Sequence, residues 1–530
     1  MKRLVPNIRE YPGLHKLIIK LFIIGSVLIS FDSCTDRVPE TPNILFIAVD
    51  DMRTDLGCYG NKDIITPNID QLAESGLLFN NAYCQQAVCN ASRASLLTGM
   101  RPDAIKVWDL KTHFRTAAPD IVTLPEYFKN NGYRVEGMGK IFHGSLKDPQ
   151  SWSYPKKDPK GHSLYPDTAM KRLEERRNAL RAMGVPENQI GGKYRGLGVM
   201  SVDEPDNKRY DGALTDLAIE TLRELDGPFF LAVGYHRPHL PFVAPKKYFD
   251  MYDRDKIPLA PNPFLPEGSP EIAMNTMYEL RAYEDFAITP TPFDGSLTLE
   301  QRRRLKHGYY SSVSFVDAQV GRLMEALEEN DLYENTIVIL WGDHGWKLGE
   351  HNSWGKMTNY ENDTHVPLII RVPWMKGKGV KTDAFVEFVD IYPSLCELAG
   401  LKVPEHLEGL SFVPLIEQPA REWKAAAFSQ YMRWQNPEQP WKTAVFSQYM
   451  RRHEGKSFMG YSIRTKMYRY VKWKNMDNGK VVARELFDHE TDPQENKNIA
   501  DLPGNEEIVK KLSEQLNEGW KGALPKDKKK

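Results

Sequence analysis

The chain has 530 residues, with 70 Lys plus Arg against 71 Asp plus Glu and a formal charge of −1, so it lacks the basic excess that nucleic-acid binding normally requires. Apolar residues at 41%, charged residues at 27% and aromatics at 11% exclude disordered and fibrous classes. At roughly 150 residues per domain the length admits about three units or one large α/β core with an appendage, and five cysteines, at positions 34, 58, 84, 89 and 396, are too few for a disulfide scaffold.

Lys2, Arg3, Arg9, Lys16 and Lys20 precede the apolar run Leu21 to Phe31, which at about 11 residues is too short to span a bilayer. Residues 1–34 therefore read as a signal peptide and residues 35–42 as a polar linker. Cys34 closes the apolar run where the modified cysteine of a bacterial lipoprotein would sit; simple cleavage is the alternative. The expectation is an exported protein, periplasmic or on the outer membrane of a Gram-negative bacterium, touching a membrane only through a lipid anchor at Cys34.

Asn43 to Val49 is a continuous apolar run without alternation, the pattern of a strand buried on both faces of a parallel sheet, and it ends in Asp50 and Asp51. Thr66 followed by Pro67, with Ile69, Leu72 and Leu77 apolar, predicts a helix capped by Thr66. Cys89-Asn-Ala-Ser-Arg93 opens another helical stretch. Tyr133 to Gly137 predicts a strand running into Lys140 and His143, and Phe229 to Val233 one running into His236. Tyr310 to Glu329 carries apolar residues at helical spacing and leads into the strand Thr336 to Trp341, which ends in Asp343 and His344. This alternation implies a large, mostly parallel α/β core, with titratable residues at the carboxyl ends of its strands, where such sheets place ligand sites. After Leu401 short β-like runs at Tyr461–Arg464, Tyr468–Trp473 and Glu485–Asp488 and an amphipathic stretch from Asn505 to Trp520 predict a smaller α+β subdomain. The predicted boundaries are 43–415 for the core, 416–525 for the subdomain and 526–530 for a basic tail. Within the subdomain, residues 423–433 nearly repeat as 441–451, matching at nine of eleven positions. One duplication cannot build a solenoid, so one copy is expected to take a core strand and the other the surface.

Asp50, Asp51 and Asp343 bring three carboxylates from two strand ends, and His344 adds a nitrogen. Three negative charges at one place call for a cation, and oxygen donors suit Ca²⁺ or Mg²⁺; the plainer reading of an aspartate pair is a helix or turn cap. Cys89 at a helix start near Arg93 has the setting of a lowered thiol pKa, although buried structural cysteines are common.

The segment Cys89, Ala91, Ser92, Arg93, Leu97, Thr98, Gly99 resembles the signature of the type I, formylglycine-dependent sulfatases, most closely the iduronate-2-sulfatase branch. The similarity continues through Val49–Arg53, Leu56–Gly60, Gly139–His143, Val233–His239, Asp343–Trp346, Leu348–His351, Trp354–Lys356, Thr364–Pro367 and Met459–Thr465, and so covers nearly the whole mature chain. It implies an alkaline-phosphatase-like core, mostly parallel and flanked by helices, with an antiparallel sheet in the C-terminal subdomain. It also implies that Cys89 is converted to formylglycine, whose hydrated aldehyde attacks sulfur. Asp50, Asp51, Cys89, Asp343 and His344 match the positions that hold one calcium ion. Arg93 and Lys140 match residues that hold the modified side chain and offset charge on the transferring group. His143 fits the base that regenerates the aldehyde, His236 matches the histidine that protonates the leaving alcohol, and Lys356 matches a second sulfate-binding cation. Lys140, His236, Lys356 and Trp346 are thus the candidate substrate contacts; Trp346 either stacks on a sugar or packs. His239, His351 and His365 lie in family-like motifs, with structural roles equally open.

Ala91 stands where many members have Pro, which implies maturation by the radical, oxygen-independent maturase. The branch implies exo-acting release of 2-O-sulfate from a terminal uronic acid, iduronate or unsaturated uronate, of heparin, heparan, chondroitin or dermatan oligosaccharides. Lys111, Arg115 and Arg237 are candidates for gripping the uronate carboxylate. The rival readings are a phosphatase or phosphonate hydrolase of the same superfamily and a glycan-binding lipoprotein without catalysis.

Overall fold

The computed structural model describes residues 41–187, 190, 195–435 and 456–528. The proposed signal peptide with Cys34, most of the linker, the second copy of the duplicated segment and the last two residues of the tail lie outside them. Strands run as β1 (Asn43–Asp50), β2 (Leu77–Tyr83), β3 (Arg134–Gly139), β4 (Val199–Val202), β5 (Phe229–Pro238), β6 (Phe242–Pro245), β7 (Thr336–Gly342), β8 (Lys347–Leu348), β9 (Trp354–Gly355), β10 (Leu368–Arg371), β11 (Val380–Glu387), β12 (Ala426–Gln435), β13 (Lys456–Thr465), β14 (Tyr468–Asn475) and β15 (Val481–Asp488). The helices that matter here are α1 (Pro67–Glu74), α2 (Cys89–Thr98), α3 (Leu124–Asn130), α4 (Tyr210–Glu224), α5 (Leu299–Glu329), α6 (Ile391–Leu398) and α7 (Glu506–Glu518).

The main sheet has seven strands in the order β11-β2-β10-β7-β1-β5-β3. Its neighbours pair in parallel except on either side of β10, which makes a mixed, mostly parallel sheet. The unbroken apolar run of β1 is explained by burial on both faces. Leu45, Ile47 and Val49 enter one core with Val313, Val316, Val320 and Leu323 of α5, while Ile44, Phe46 and Ala48 enter the other with Leu97 of α2 and Leu395 of α6. The second sheet, β12-β13-β14-β15, is antiparallel throughout and packs Ile463, Tyr470 and Leu486 against Leu512 of α7. The first copy of the duplicated segment supplies its edge strand β12. Among the described residues no helix is long and apolar enough to cross a membrane.

Two local expectations need correction. Helix α1 begins at Pro67 as predicted, but Thr66 does not cap it; its hydroxyl accepts from the Gly57 N–H at 2.9 Å and donates to Asp70 at 3.1 Å, tying the helix to the preceding loop. Helix α5 begins eleven residues before Tyr310, at Leu299, behind a capping box formed by Thr298 and Gln301. That first stretch is rich in Arg and Lys and carries no apolar stripe long enough to read.

Candidate active site

The register of the central strands builds the site. Val49 pairs with Gly342 on one side and Tyr235 on the other, and Gly139 pairs with Gly234, so the carboxyl ends of β3, β5, β1 and β7 lie side by side. Close approach at this rim needs glycine: Gly139 has φ +63°, and a Cβ there would meet the Gly234 carbonyl oxygen at 2.2 Å. Asp51, just past β1, also adopts the left-handed conformation at φ 61°, which costs a residue with a Cβ some strain but which Asp tolerates better than most. Its N–H donates to Asp343 Oδ1 at 2.9 Å, fixing the two strand ends to each other.

Helix α2 is buried along its whole length and carries Cys89 as its first residue. The Cys89 Sγ lies 3.1 Å from His344 Nε2 and 3.2 Å from Lys356 Nζ. One turn on, Arg93 donates from Nε to Asp343 Oδ2 at 2.8 Å, from Nη2 to Asp50 Oδ1 at 3.2 Å, and from Nη1 to the carbonyls of Lys140 and Ile141. The Lys140 ammonium bonds the other oxygen of Asp50, and the Lys356 ammonium lies 2.5 Å from Asp51 Oδ1. Three carboxylates and three cations thus interlock with almost no exposure.

This neutral lattice shapes the titrations. Burial alone would raise Asp50, yet Lys140, His239 and Arg93 carry it well below the usual carboxylate range. Burial wins at Asp51, which is raised despite His239 and Lys356. His344 would be lowered by burial, but Asp343 and Cys89 push it up to about 9. Its Nδ1 faces the Gly345 carbonyl at 3.0 Å, so the Nδ1 proton is used there and Nε2 points at Asp51, Asp343 and Cys89.

The same residues suit a metal. Ligand atoms of Asp50, Asp51, Cys89 and His344 all lie within 4.8 Å of one another, and Asp343 Oδ1 is 3.6 Å from His344 Nε2. Asp51 Oδ2 is buried without a hydrogen-bond partner, the kind of atom a bound cation satisfies. A donor set dominated by carboxylate oxygens fits a hard cation such as calcium better than zinc.

Beside this cluster opens a cavity of about 220 Å³, lined by Asp50, Lys140, His236 and His239 together with Tyr165, Arg177, Arg195, Arg237 and Tyr283. His236 packs edge-on against Tyr210 of α4 with centroids 4.7 Å apart, and its N–H donates to Asp211 at 2.8 Å. Its Nδ1 and that of His143 are buried without partners. Burial, reinforced by Lys140, holds His236 well below its ordinary value and His143 down at about 3; both are neutral here.

A family model described as sulfatase matches residues 42–401. The chain belongs to the sulfatase family. A second model, described as N-sulphoglucosamine sulphohydrolase, C-terminal, matches residues 349–521. This sulfatase is 34% identical to iduronate 2-sulfatase of Homo sapiens over 90% of its own length and 94% of that protein. It is 32% identical to an arylsulfatase of Clostridium perfringens over 72% of its length and 80% of that enzyme. It is therefore a sulfuric ester hydrolase. Among solved structures, a phosphonate monoester hydrolase of Agrobacterium radiobacter aligns with a TM-score of 0.67 at 24% identity, covering 90% of this chain and 95% of that one. A protein solved with its substrate D-glucosamine-2-N,6-O-disulfate aligns at 0.69 and 23%, covering 91% and 98%. These likenesses place the fold in the alkaline-phosphatase-like class.

The sulfatase site gathers Asp50, Asp51, Cys89, Arg93, Lys140, Asp343, His344 and Lys356, with His143 and His236 beside them. Other expected contacts fall elsewhere. Trp346 is 1% exposed and packs edge-on against Phe242 in the core, with the Lys356 ammonium 5.4 Å from its ring, which leaves no face for a sugar. Arg115 is spent on Asp148, Glu126 and two carbonyls, and Lys111 sits in an exposed loop that does not line the cavity. Arg237 does line it, but its guanidinium donates to the carbonyls of Val243, His239 and Leu164. His351 and His365 bond the carbonyls of Gln494 and Asn80 and are structural. His239 joins the site, 3.1 Å from Glu279 and 3.9 Å from Asp51, and although burial lowers its pKa, Asp51, Glu279 and Asp50 together raise it. Glu279, Arg177 and Arg195 were not legible in the sequence, because no strand end or motif marks them.

Proposed function

We propose that this sulfatase removes the 2-O-sulfate from a terminal uronic acid, iduronate or unsaturated uronate, of sulfated glycosaminoglycan oligosaccharides, using formylglycine at position 89 and one calcium ion. The observation that carries the reading is Cys89 at the buried start of α2, between His344 and Lys356, beside a cavity walled by Lys140 and His236. Support for the substrate comes from the iduronate 2-sulfatase likeness over 90% of the chain. A volume of about 220 Å³, below the ~300–1,000 Å³ of drug-sized sites, suits one terminal ring and hence exo action.

Formylglycine at position 89 would supply the attacking hydroxyl of an aldehyde hydrate, and calcium held by Asp50, Asp51, Asp343 and His344 would supply Lewis-acid polarisation of the sulfate oxygens. Lys140 and Lys356 offset the charge spread over those oxygens in the transition state, the kind of fixed stabilisation whose loss costs about 10²–10³ in rate. Arg93 holds Asp50 and Asp343 in place. His236, on the cavity wall, gives a proton to the sugar oxygen as its bond to sulfur breaks; a bound sulfate raises the pKa of this histidine by placing negative charge beside it. His143, neutral because of burial, accepts a proton when sulfate is released. Ala91 points to the radical maturase, and the segment before residue 42 points to export, with Cys34 at the position of a lipid anchor.

The test is sulfate release from a disaccharide carrying one 2-O-sulfated unsaturated uronate, with a 6-O-sulfated control, by protein whose Cys89 peptide shows formylglycine by mass spectrometry. Release confined to the 2-O substrate is expected. Converted protein that releases sulfate only from the control would overturn the uronate assignment.

A further inference from the structure

The cavity wall carries more cations than the one paired with Asp50, Lys140. Arg177 and Arg195 also line it, brought in from the segment between β3 and β5, together with Arg237 and Tyr283. Arg195 is partly buried; its Nη1 is 3.1 Å from the Tyr283 hydroxyl and 3.5 Å from Glu279 Oε1, and its guanidinium lies 5.3 Å from the Tyr283 ring centroid. Among the described residues no acceptor meets its Nε or Nη2. The Nε of Arg177 is buried with no hydrogen-bond partner, and its ion pair to Glu174 is long, at 3.8 Å. Glu279, the carboxylate nearest Arg195, is shared with His239 and Lys356, and those two cations hold it ionised against burial. Two guanidiniums with unmet donors at the wall of a small cavity carry an unfilled demand for an anion.

We propose that Arg177 and Arg195 form a second anion subsite that binds a carboxylate on the same sugar whose sulfate is cleaved. This deepens the reading above and rests on it. In a 2-O-sulfated uronate the sulfate at C2 and the carboxylate at C5 lie across the ring from each other, so a one-ring cavity that seats the sulfate beside Lys140 brings the carboxylate against another part of the same wall. A planar guanidinium with two adjacent N–H groups is the side chain suited to bidentate carboxylate recognition. A second sulfate on the same ring offers similar chemistry, and the substrates below distinguish the two.

Arg195→Gln, Arg195→Lys and Arg177→Gln are compared with the parent on three substrates: the 2-O-sulfated unsaturated uronate disaccharide, glucosamine 2-N,6-O-disulfate, and an aryl sulfate without a second anion. Inhibition of aryl sulfate turnover by glucuronate is measured alongside. Loss of a charge-assisted contact should lower the ratio of kcat/KM for the disaccharide to that for the aryl sulfate by roughly 10- to 100-fold, chiefly through KM, and weaken glucuronate inhibition by a similar factor. Arg195→Lys should recover part of the loss. Glucuronate inhibition that both Gln variants retain in full overturns the subsite. A ratio that falls only for the disulfate overturns the carboxylate assignment in favour of a second sulfate. If the parent does not cleave the uronate disaccharide but loses glucuronate inhibition in the variants, the subsite stands and the 2-O reading falls.

Discussion

Replacing Arg93 with methionine removes a guanidinium with no solvent exposure that serves four acceptors. Removing one partner of a buried ion pair typically costs about 3–5 kcal/mol. Here neither carboxylate is left bare, since Asp50 keeps Lys140 and Asp343 keeps the N–H groups of Asp51 and His344, so the ionic part falls near 3 kcal/mol. The carbonyls of Lys140 and Ile141 lose a buried donor, adding about 1 kcal/mol each at the low end of the range for stranded polar groups. The expected loss is therefore about 5 kcal/mol, measured by urea denaturation in EDTA. Arg93→Lys keeps the charge but cannot span four acceptors, and should lose about half as much. Calcium held by the same carboxylates should return part of the loss in Arg93→Met, because the deficit is one of positive charge. A loss below about 1 kcal/mol, or equal losses for Met and Lys, would refute the view that Arg93 works as the shared counter-charge of two strand ends.

Calcium at about 100 times its Kd should stabilise the parent by roughly 2.7 kcal/mol, and Asp51→Asn should erase that difference between calcium and EDTA in a melting experiment; a full calcium shift in the variant would place the ion elsewhere. His143 is held at about 3 against an ordinary 6.5, so above pH 6.5 its proton affects neither state. Between 6.5 and 3 the unfolded chain takes up a proton that the folded one refuses, so stability is lost as the pH is lowered; His143→Asn should flatten that part of the curve, and an unchanged slope would mean the histidine is solvated. Trp346→Ala should cost about 3–5 kcal/mol as a core deletion, while Trp346→Phe should leave the KM for the disaccharide within about twofold. A tenfold rise in that KM would restore a sugar-stacking role.

Much of this site could be read before any coordinates, for a physical reason. Strands buried on both faces are continuous apolar runs, and whatever polar residue follows such a run stands at the sheet's rim. Asp50, Lys140, His236 and Asp343 were found this way, and β1, β5 and β7 begin at the residues expected. The short strand β10 and its neighbours β2 and β11 were not found, since four residues of Leu-Ile-Ile-Arg carry no period. Trp346 was left between stacking and packing, and Arg115 was misplaced, for another reason: residue type says what a side chain can touch, whereas burial and nearby acceptors decide what it does touch. Glu279 and Arg195 could not be found at all. They come from irregular segments more than 80 residues apart in sequence and meet at 3.5 Å beside the cavity that Arg195 lines.

The charge arithmetic of the site carries one further step. Asp50, Asp51 and Asp343 are balanced by Arg93, Lys140 and Lys356, so the cluster is near neutral while each ammonium is committed to a carboxylate. An anionic substrate gains little from ammonium groups already paired in this way. A dication held by the same carboxylates would take over their counter-charge, leave the cluster net positive and free Lys140 and Lys356 for the sulfate. Cation and sulfate would then each favour the other by the same factor, as linkage requires. Arg93 takes no part in this exchange, because its four bonds lock the two strand ends together from behind. The buried lattice therefore has two parts: a guanidinium that fixes the carboxylates, and two lysines that a bound dication would release.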